Sequence, residues 1–110
     1  MLTQAYSILM DIDLMQANAA EASALLKSLA HPSRLLVLCA LVTREHTAGE
    51  LERLTGLGQS AISQHLARLR DAGIVHTRRE AQRIYYTLSN AEVQAVLQAL
   101  HDIYCPDQAA

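Results

Sequence analysis

The stretch GLGQSAISQHLARLRDAGIV, residues 56–75, predicts a tight turn followed by a helix and the start of a strand. Gly56 and Gly58 favour the turn, because glycine tolerates backbone angles that other residues avoid. Gly73 suits the left-handed position that commonly follows the last residue of a helix. The stretch therefore predicts a helix over residues 59–72 that is entered through a short turn.

The two sides of this helix differ in their chemistry. At about 100° per residue, Ile62, Leu66 and Leu69 fall on one side. The opposite side carries Ser60, Ser63, Gln64, Ala67 and Asp71. Short polar side chains let a helix approach a surface closely, and in a DNA major groove Gln pairs with an adenine edge while Ser bonds a base or a phosphate. The alternative is that this polar side only faces water.

The residues before this stretch predict three further helices. The first runs from about Leu14 to Ala30 and is broken by His31-Pro32, and Pro32 suits the first turn of a second helix. The second helix contains RLLVLCALV, residues 34–42, an apolar run in which Cys39 is expected to be buried. Thr47-Ala-Gly-Glu50 matches a capping box, which predicts a short third helix over residues 48–55.

The residues after the stretch predict a hairpin and a last helix. Residues 74–79 and 83–88 are β-prone runs joined by a short polar loop. Ser89-Asn-Ala-Glu92 resembles a second capping box, and the helix it opens ends at Cys105-Pro106. The predicted fold is mainly α with a small β-hairpin: a winged helix-turn-helix with four helices, a two-stranded wing and a fifth helix.

Composition and length predict a single domain over residues 1–110. Apolar residues make up 51% of the chain, and Trp and Phe are absent, so the core must consist of Leu, Ile, Val and Ala. Residues 1–13 are expected to form a mobile tail. The N-terminal residues include Asp11 and Asp13 and no basic leader, which fits neither a secretion signal nor a membrane span. We therefore expect a cytoplasmic protein that does not contact a membrane.

Positive charge is concentrated in one part of the chain. Residues 57–88 carry a net charge of +3, whereas the remaining residues carry −5. Such a local basic patch is typical of a face that binds nucleic acid, although a solvated surface can show the same asymmetry by chance. The candidate DNA-binding residues, on the fourth helix and the hairpin, are Gln59, Ser60, Ser63, Gln64, His65, Arg68, Arg78, Arg79 and Arg83.

Two long segments resemble the ArsR/SmtB family of bacterial repressors. They are LLKSLAHPSRLLVLCALV, residues 25–42, and GELERLTGLGQSAISQHLARLRDAGIVHTRREAQRIYYTL, residues 49–88. The resemblance implies a homodimer, held together largely by its first and last helices, that binds a pseudo-palindromic double-stranded operator. It also implies base-reading positions among residues 59–65 and a wing that carries Arg78, Arg79 and Arg83.

Many members of this family respond to metals, but the usual ligands are missing here. The arsenic-type Cys-x-Cys pair is absent from the third helix, and the last helix offers only Glu92, His101 and Asp102. No two of the five His show the i,i+4 spacing that places both on one helical face. We therefore expect no metal and no cofactor, although a site formed by Cys39, Cys105 and a His remains an alternative.

RLLVLCALV, IYCP at residues 103–106 and REAQRIYY at residues 79–86 resemble the sulfide- and persulfide-responsive branch of SqrR, BigR and YgaV and the related activator HlyU. That resemblance implies that reactive sulfur species link Cys39 to Cys105 and lower the affinity for DNA. The alternatives are a metal-responsive repressor, a regulator whose cysteines only pack, and a module that binds protein rather than DNA. A thiol enzyme is disfavoured, because no catalytic constellation or phosphate-binding loop is present.

Overall fold

The computed structural model describes residues 11–106. The five helices are α1 (Ile12–Leu29), α2 (Pro32–Thr43), α3 (Ala48–Thr55), α4 (Gln59–Asp71) and α5 (Ala91–Tyr104). The number and order of helices agree with the prediction. The predicted tail falls mostly outside the described residues, and Ile12 and Asp13 belong to α1, which starts two residues earlier than expected.

The helix starts confirm one predicted capping box and correct the other. Before α3, the hydroxyl oxygen of Thr47 accepts a bond from the Glu50 N–H at 3.1 Å, and the Glu50 carboxylate accepts one from the Thr47 N–H at 3.0 Å. Before α5, the capping residue is Asn90, whose side chain accepts from the N–H of Val93. The Ser89 hydroxyl instead donates to the carbonyl of Ile74, so the predicted box of Ser89 and Glu92 is wrong.

The sheet has three antiparallel strands rather than the two predicted. They are β1 (His46–Thr47), β2 (Val75–Glu80) and β3 (Arg83–Leu88), in the order β1-β3-β2. The hairpin of β2 and β3 was predicted, and the strand β1 was not. A two-residue strand shows no alternation of polar and apolar residues, so its pairing with Tyr85 and Tyr86 on β3 leaves no local signal in the sequence.

One hydrophobic core lies between α2, α3, α4, α5 and the base of the hairpin. Its buried members are Leu29, Val37, Leu38, Leu41, Leu51, Ile62, Leu66, Leu69, Ile74, Val75, Val93 and Leu97. The fold is therefore that of a winged helix-turn-helix, with α3 and α4 as the helix-turn-helix and the hairpin as the wing. Of the residues of α1, Leu29 is buried in this core and Leu25 packs against it.

No single helix among residues 11–106 is both long and apolar enough to cross a membrane. Only α1 and α2 taken together, with a bend of 93° between them, meet the requirements of length and composition.

Candidate nucleic-acid interface and thiol pair

The polar side of α4 faces away from the core, as predicted. Gln59, Ser60, Ser63 and Gln64 are all exposed. No side-chain hydrogen bond joins any of these four residues to another part of the chain between residues 11 and 106. Their donors and acceptors are therefore available to an external partner.

The opposite side of α4 is fixed in the core. Ile62, Leu66 and Leu69 are each at most 2% exposed and pack with Leu51 of α3. Gly56, between the two helices, has a φ of +76° and serves as the left-handed C-cap of α3. The turn and the shared core together hold α4 in one orientation relative to α3, which allows its polar side to act as a fixed surface.

His65 lies apart from the polar side of α4. Its ring centroid is 5.1 Å from that of His31, which caps α2, and its Nδ1 is buried without a hydrogen-bond partner in the described chain. Burial lowers the pKa of His65, and the nearby positive charges of His31, Arg34 and Arg68 lower it further. A neutral imidazole packed on α2 is a poor candidate for a base contact. The contacts of His65 therefore favour a packing role over a contact with DNA.

All four candidate arginines are exposed, and three of them, one on α4 and two on the wing, have no acidic partner within residues 11–106. Arg79 and Arg83 flank the two-residue turn at Ala81-Gln82, and Arg68 projects from the last turn of α4. Within residues 11–106 none of the three forms an ion pair. These guanidinium groups are free to approach phosphates.

Arg78 differs from the other arginines because carboxylates hold its side chain. Its Nε donates to Glu45 at 2.9 Å, its Nη2 donates to Glu45 at 2.6 Å and its Nη1 donates to Glu80 at 2.6 Å. Its Cζ lies 4.5 Å from the centroid of the Tyr85 ring. The carboxylate of Glu45, followed by that of Glu80, raises the pKa of Arg78 above its usual range. From the sequence alone, Arg78 is grouped with the other candidate DNA-binding arginines, because its partner Glu45 is 33 residues away along the chain.

The two cysteines are free thiols on helices that contact each other. Cys39 lies on α2 and Cys105 is the C-cap residue of α5, and both are exposed. The prediction that Cys39 is buried is therefore wrong. Val37, Leu38 and Leu41 of the same helix face the core, while Leu36 is 53% exposed. Because α2 is apolar on nearly every side, the sequence pattern does not identify the side that faces outward.

The thiol of Cys39 is exposed and yet has protein on more than one side. It borders a small pocket between α2 and α5 that is also lined by Val42, Leu97 and His101. Partial burial, and to a smaller extent the proximity of Cys105, raises the pKa of Cys39 above its usual range. Cys39 is consequently a protonated thiol near neutral pH, close enough to Cys105 to be affected by its charge.

Possible metal ligands do not cluster in the described part of the chain. No three side chains among the His, Cys, Asp and Glu of residues 11–106 lie close enough together to hold a metal ion.

Comparison with known proteins agrees with this arrangement. The family model for bacterial regulatory proteins of the arsR family matches residues 31–77. The HTH-type transcriptional regulator YgaV of Escherichia coli K12 is 53% identical over 93 residues, which cover 84% of this chain and 94% of YgaV. The transcriptional activator HlyU of Vibrio cholerae is 49% identical over 96 residues, covering 87% of this chain and 89% of HlyU.

A solved structure shows the same fold. The crystal structure of the transcriptional repressor BigR from Xylella fastidiosa matches with a TM-score of 0.83 and 44% identity, covering 87% of this chain and 98% of the BigR chain. The relatives are transcriptional regulators from the branch that the sequence predicted, and none of those named here is an enzyme. The chain therefore belongs to the arsR family of bacterial regulatory proteins and is a DNA-binding transcription regulator rather than an enzyme.

Proposed function

We propose that the protein is a homodimeric repressor that binds a pseudo-palindromic operator and releases it when Cys39 and Cys105 become linked. The observation that carries this proposal is the pairing, in one small chain, of a fixed polar helix face with two exposed thiols on contacting helices. BigR is a repressor and HlyU an activator, so repression is part of the proposal.

In the proposed complex, α4 enters the major groove and the wing follows the adjacent backbone. Gln59, Ser60, Ser63 and Gln64 contact base edges or nearby phosphates, because they are exposed and have no partner in the described chain. Arg68, Arg79 and Arg83 contact phosphates, and these contacts supply affinity that does not depend on sequence. His65 supports α4 from the side of α2 rather than touching DNA.

The proposed dimer is supported by apolar side chains that the chain itself leaves uncovered. On α1, Leu14 is 62% exposed and Leu26 is 56% exposed, and on α5 Ile103 and Tyr104 are also exposed. Large apolar side chains grouped on two outer helices are typical of a protein–protein interface. A second copy of the chain is the proposed partner, and twofold symmetry would then direct the two α4 helices to two half-sites.

The proposed signal is a reactive sulfur species such as an organic persulfide, RSSH. Cysteine thiolates attack its outer sulfur, and we assign the first attack to Cys105 because it is exposed at the end of α5, whereas partial burial raises the pKa of the Cys39 thiol. Attack by Cys105 releases RSH and leaves a Cys105 persulfide. Attack by the Cys39 thiol on the inner sulfur of that persulfide then forms the disulfide and releases H₂S, so one RSSH oxidises the two thiols.

A second equivalent of RSSH would insert one more sulfur between the cysteines, with release of a second RSH. A direct disulfide requires Cα atoms within about 7 Å, whereas inserted sulfur atoms bridge a longer distance. The link joins α2, which carries much of the core, to the end of α5, which lies in the proposed dimer interface. A coupling free energy of about 1–3 kcal/mol between formation of the link and binding of the operator would weaken operator binding about 5- to 150-fold.

The experiment uses an operator selected from random duplexes by the reduced protein. Reduced wild type, Cys39→Ser and Cys105→Ser should bind it with similar affinity, and only the wild type should release it after treatment with a persulfide donor. Intact mass is measured on the same samples. A loss of two protons indicates a disulfide, and added sulfur with that loss indicates a polysulfide link. An inducible single Ser variant would exclude the linked-dithiol mechanism while leaving DNA binding intact.

A further inference from the structure

All three guanidinium nitrogens of Arg78 already donate hydrogen bonds to carboxylates. The N–H groups that point towards Glu45 and Glu80 are occupied at 2.6–2.9 Å, and the Tyr85 ring lies against the guanidinium plane. With two carboxylates around one guanidinium, the cluster carries a net negative charge. A phosphate would have to displace Glu45 or Glu80 and overcome the repulsion of the other.

The same contacts join segments that lie far apart in the sequence. Across the sheet, Thr47 of β1, Tyr85 of β3 and Arg78 of β2 lie in one row. Arg78 extends over the ring of Tyr85 and reaches Glu45, the residue just before β1. The strand β1 pairs with β3 through only two residues. Backbone pairing alone therefore gives the wing only a short attachment to the segment that follows α2.

We propose that Arg78 is a positioning residue, which together with Glu45 fastens the wing to the end of α2 and leaves the phosphate contacts to Arg79 and Arg83. The pair is called the wing latch below. This inference rests on the proposed docking of the wing on DNA. It assigns Glu45, an acidic residue, a role that favours binding to a polyanion.

The first test uses Glu45→Ala, for which the two models predict opposite changes in operator affinity. If Arg78 contacts phosphate, Glu45→Ala removes a competitor and a negative charge, and the operator is bound more tightly. If the wing latch operates, Glu45→Ala loosens the wing and weakens binding by about 2- to 5-fold, the size expected of an exposed ion pair. The matched control is Glu52→Ala, which removes the same charge from α3, where the Glu52 side chain forms no ion pair within residues 11–106.

The second test exchanges the charges. Arg78→Glu alone should weaken operator binding under either model. The combination of Arg78→Glu with Glu45→Arg rebuilds the ion pair in reverse, so the wing latch predicts recovery to within about 2-fold of the wild type. A phosphate contact at position 78 predicts no recovery, because a carboxylate would face the backbone. No recovery, or tighter binding by Glu45→Ala than by Glu52→Ala, overturns the proposal.

A separate measurement tests whether the wing contacts DNA at all. Arg83→Ala should reduce the slope of log K against log salt by about one phosphate contact, whereas Glu45→Ala should leave that slope unchanged. If Arg83→Ala leaves the slope unchanged, the wing does not contact DNA as proposed. Hydrogen exchange of the β2 amides in free protein then still reports on the wing latch: faster exchange in Glu45→Ala supports it, and unchanged exchange overturns it.

Discussion

The helices α4 and α1 both carry leucines, but they use them in different ways. Leu66 and Leu69 of α4 are almost completely buried within the chain, whereas Leu14 and Leu26 of α1 are more than half exposed. The position of α4 is therefore determined by the core of one chain. Most of α1 lies outside that core, and a second copy of the protein is the surface that we propose for its exposed leucines.

The largest expected difference between these two helices concerns stability. Leu66→Ala creates a cavity in the core and should lower the free energy of unfolding by about 2–5 kcal/mol at every protein concentration. Leu14→Ala makes the same chemical change at an exposed position. In the proposed dimer its effect on stability should appear only at protein concentrations at which the wild type is dimeric, because association stabilises the folded chain only there.

Urea unfolding at two protein concentrations about 100-fold apart separates the two cases. The wild-type midpoint should rise with concentration, and that of Leu14→Ala should rise less, because the variant dissociates at the lower concentration and gains less from association. If Leu14→Ala lowers the midpoint as much as Leu66→Ala at both concentrations, then α1 packs on its own core and the proposed role of α1 is wrong.

The sequence predicted α4 well because thirteen residues contain several helical turns with a clear apolar side. It did not predict which side of α2 is exposed, because that helix is apolar on nearly every side. It also missed Glu45 as the partner of Arg78, since a pair 33 residues apart forms only when β1, β3 and β2 come together. Local periodicity determines a helix, whereas contacts between distant segments require the tertiary fold.

The second prediction compares the polar side of α4 with the exposed polar side of α5. The double variant Ser63→Ala with Gln64→Ala should weaken operator binding about 10- to 100-fold, because each lost base contact costs about 1–3 kcal/mol and the two are neighbours. Gln94→Ala on α5 is the matched control and should bind like the wild type. Affinity is measured by fluorescence anisotropy, with the dimer verified by sedimentation. Unchanged binding by the double variant would remove the base-reading role from this side of α4.

A third, smaller effect separates wing charge from total charge. Arg79→Ala should weaken binding to operator and to unrelated DNA by a similar few-fold factor and reduce the salt slope by about one. Lys27→Ala removes an equal charge from α1 and should leave the slope unchanged. Measurement at several salt concentrations on both duplexes provides the slopes. A loss confined to the operator would instead indicate that Arg79 reads a base.

The smallest expected effect concerns the thiol of Cys39, which is exposed without being readily ionised. Because burial and Cys105 raise its pKa, Cys39 has less thiolate at neutral pH than an exposed peptide cysteine. Its alkylation by iodoacetamide should therefore be slower near neutral pH and reach its plateau at a higher pH than that of a cysteine peptide. Cys105→Ser removes the effect of Cys105 on the pKa of Cys39, which is smaller than the effect of burial. The pH at which Cys39 reaches half of its maximal alkylation rate should therefore fall slightly and stay above that of the peptide. Anaerobic alkylation followed by peptide mass spectrometry gives the rate at each pH. A plateau reached below that of the free peptide would make Cys39 the activated thiol, and the order of attack by the two cysteines would then be reversed.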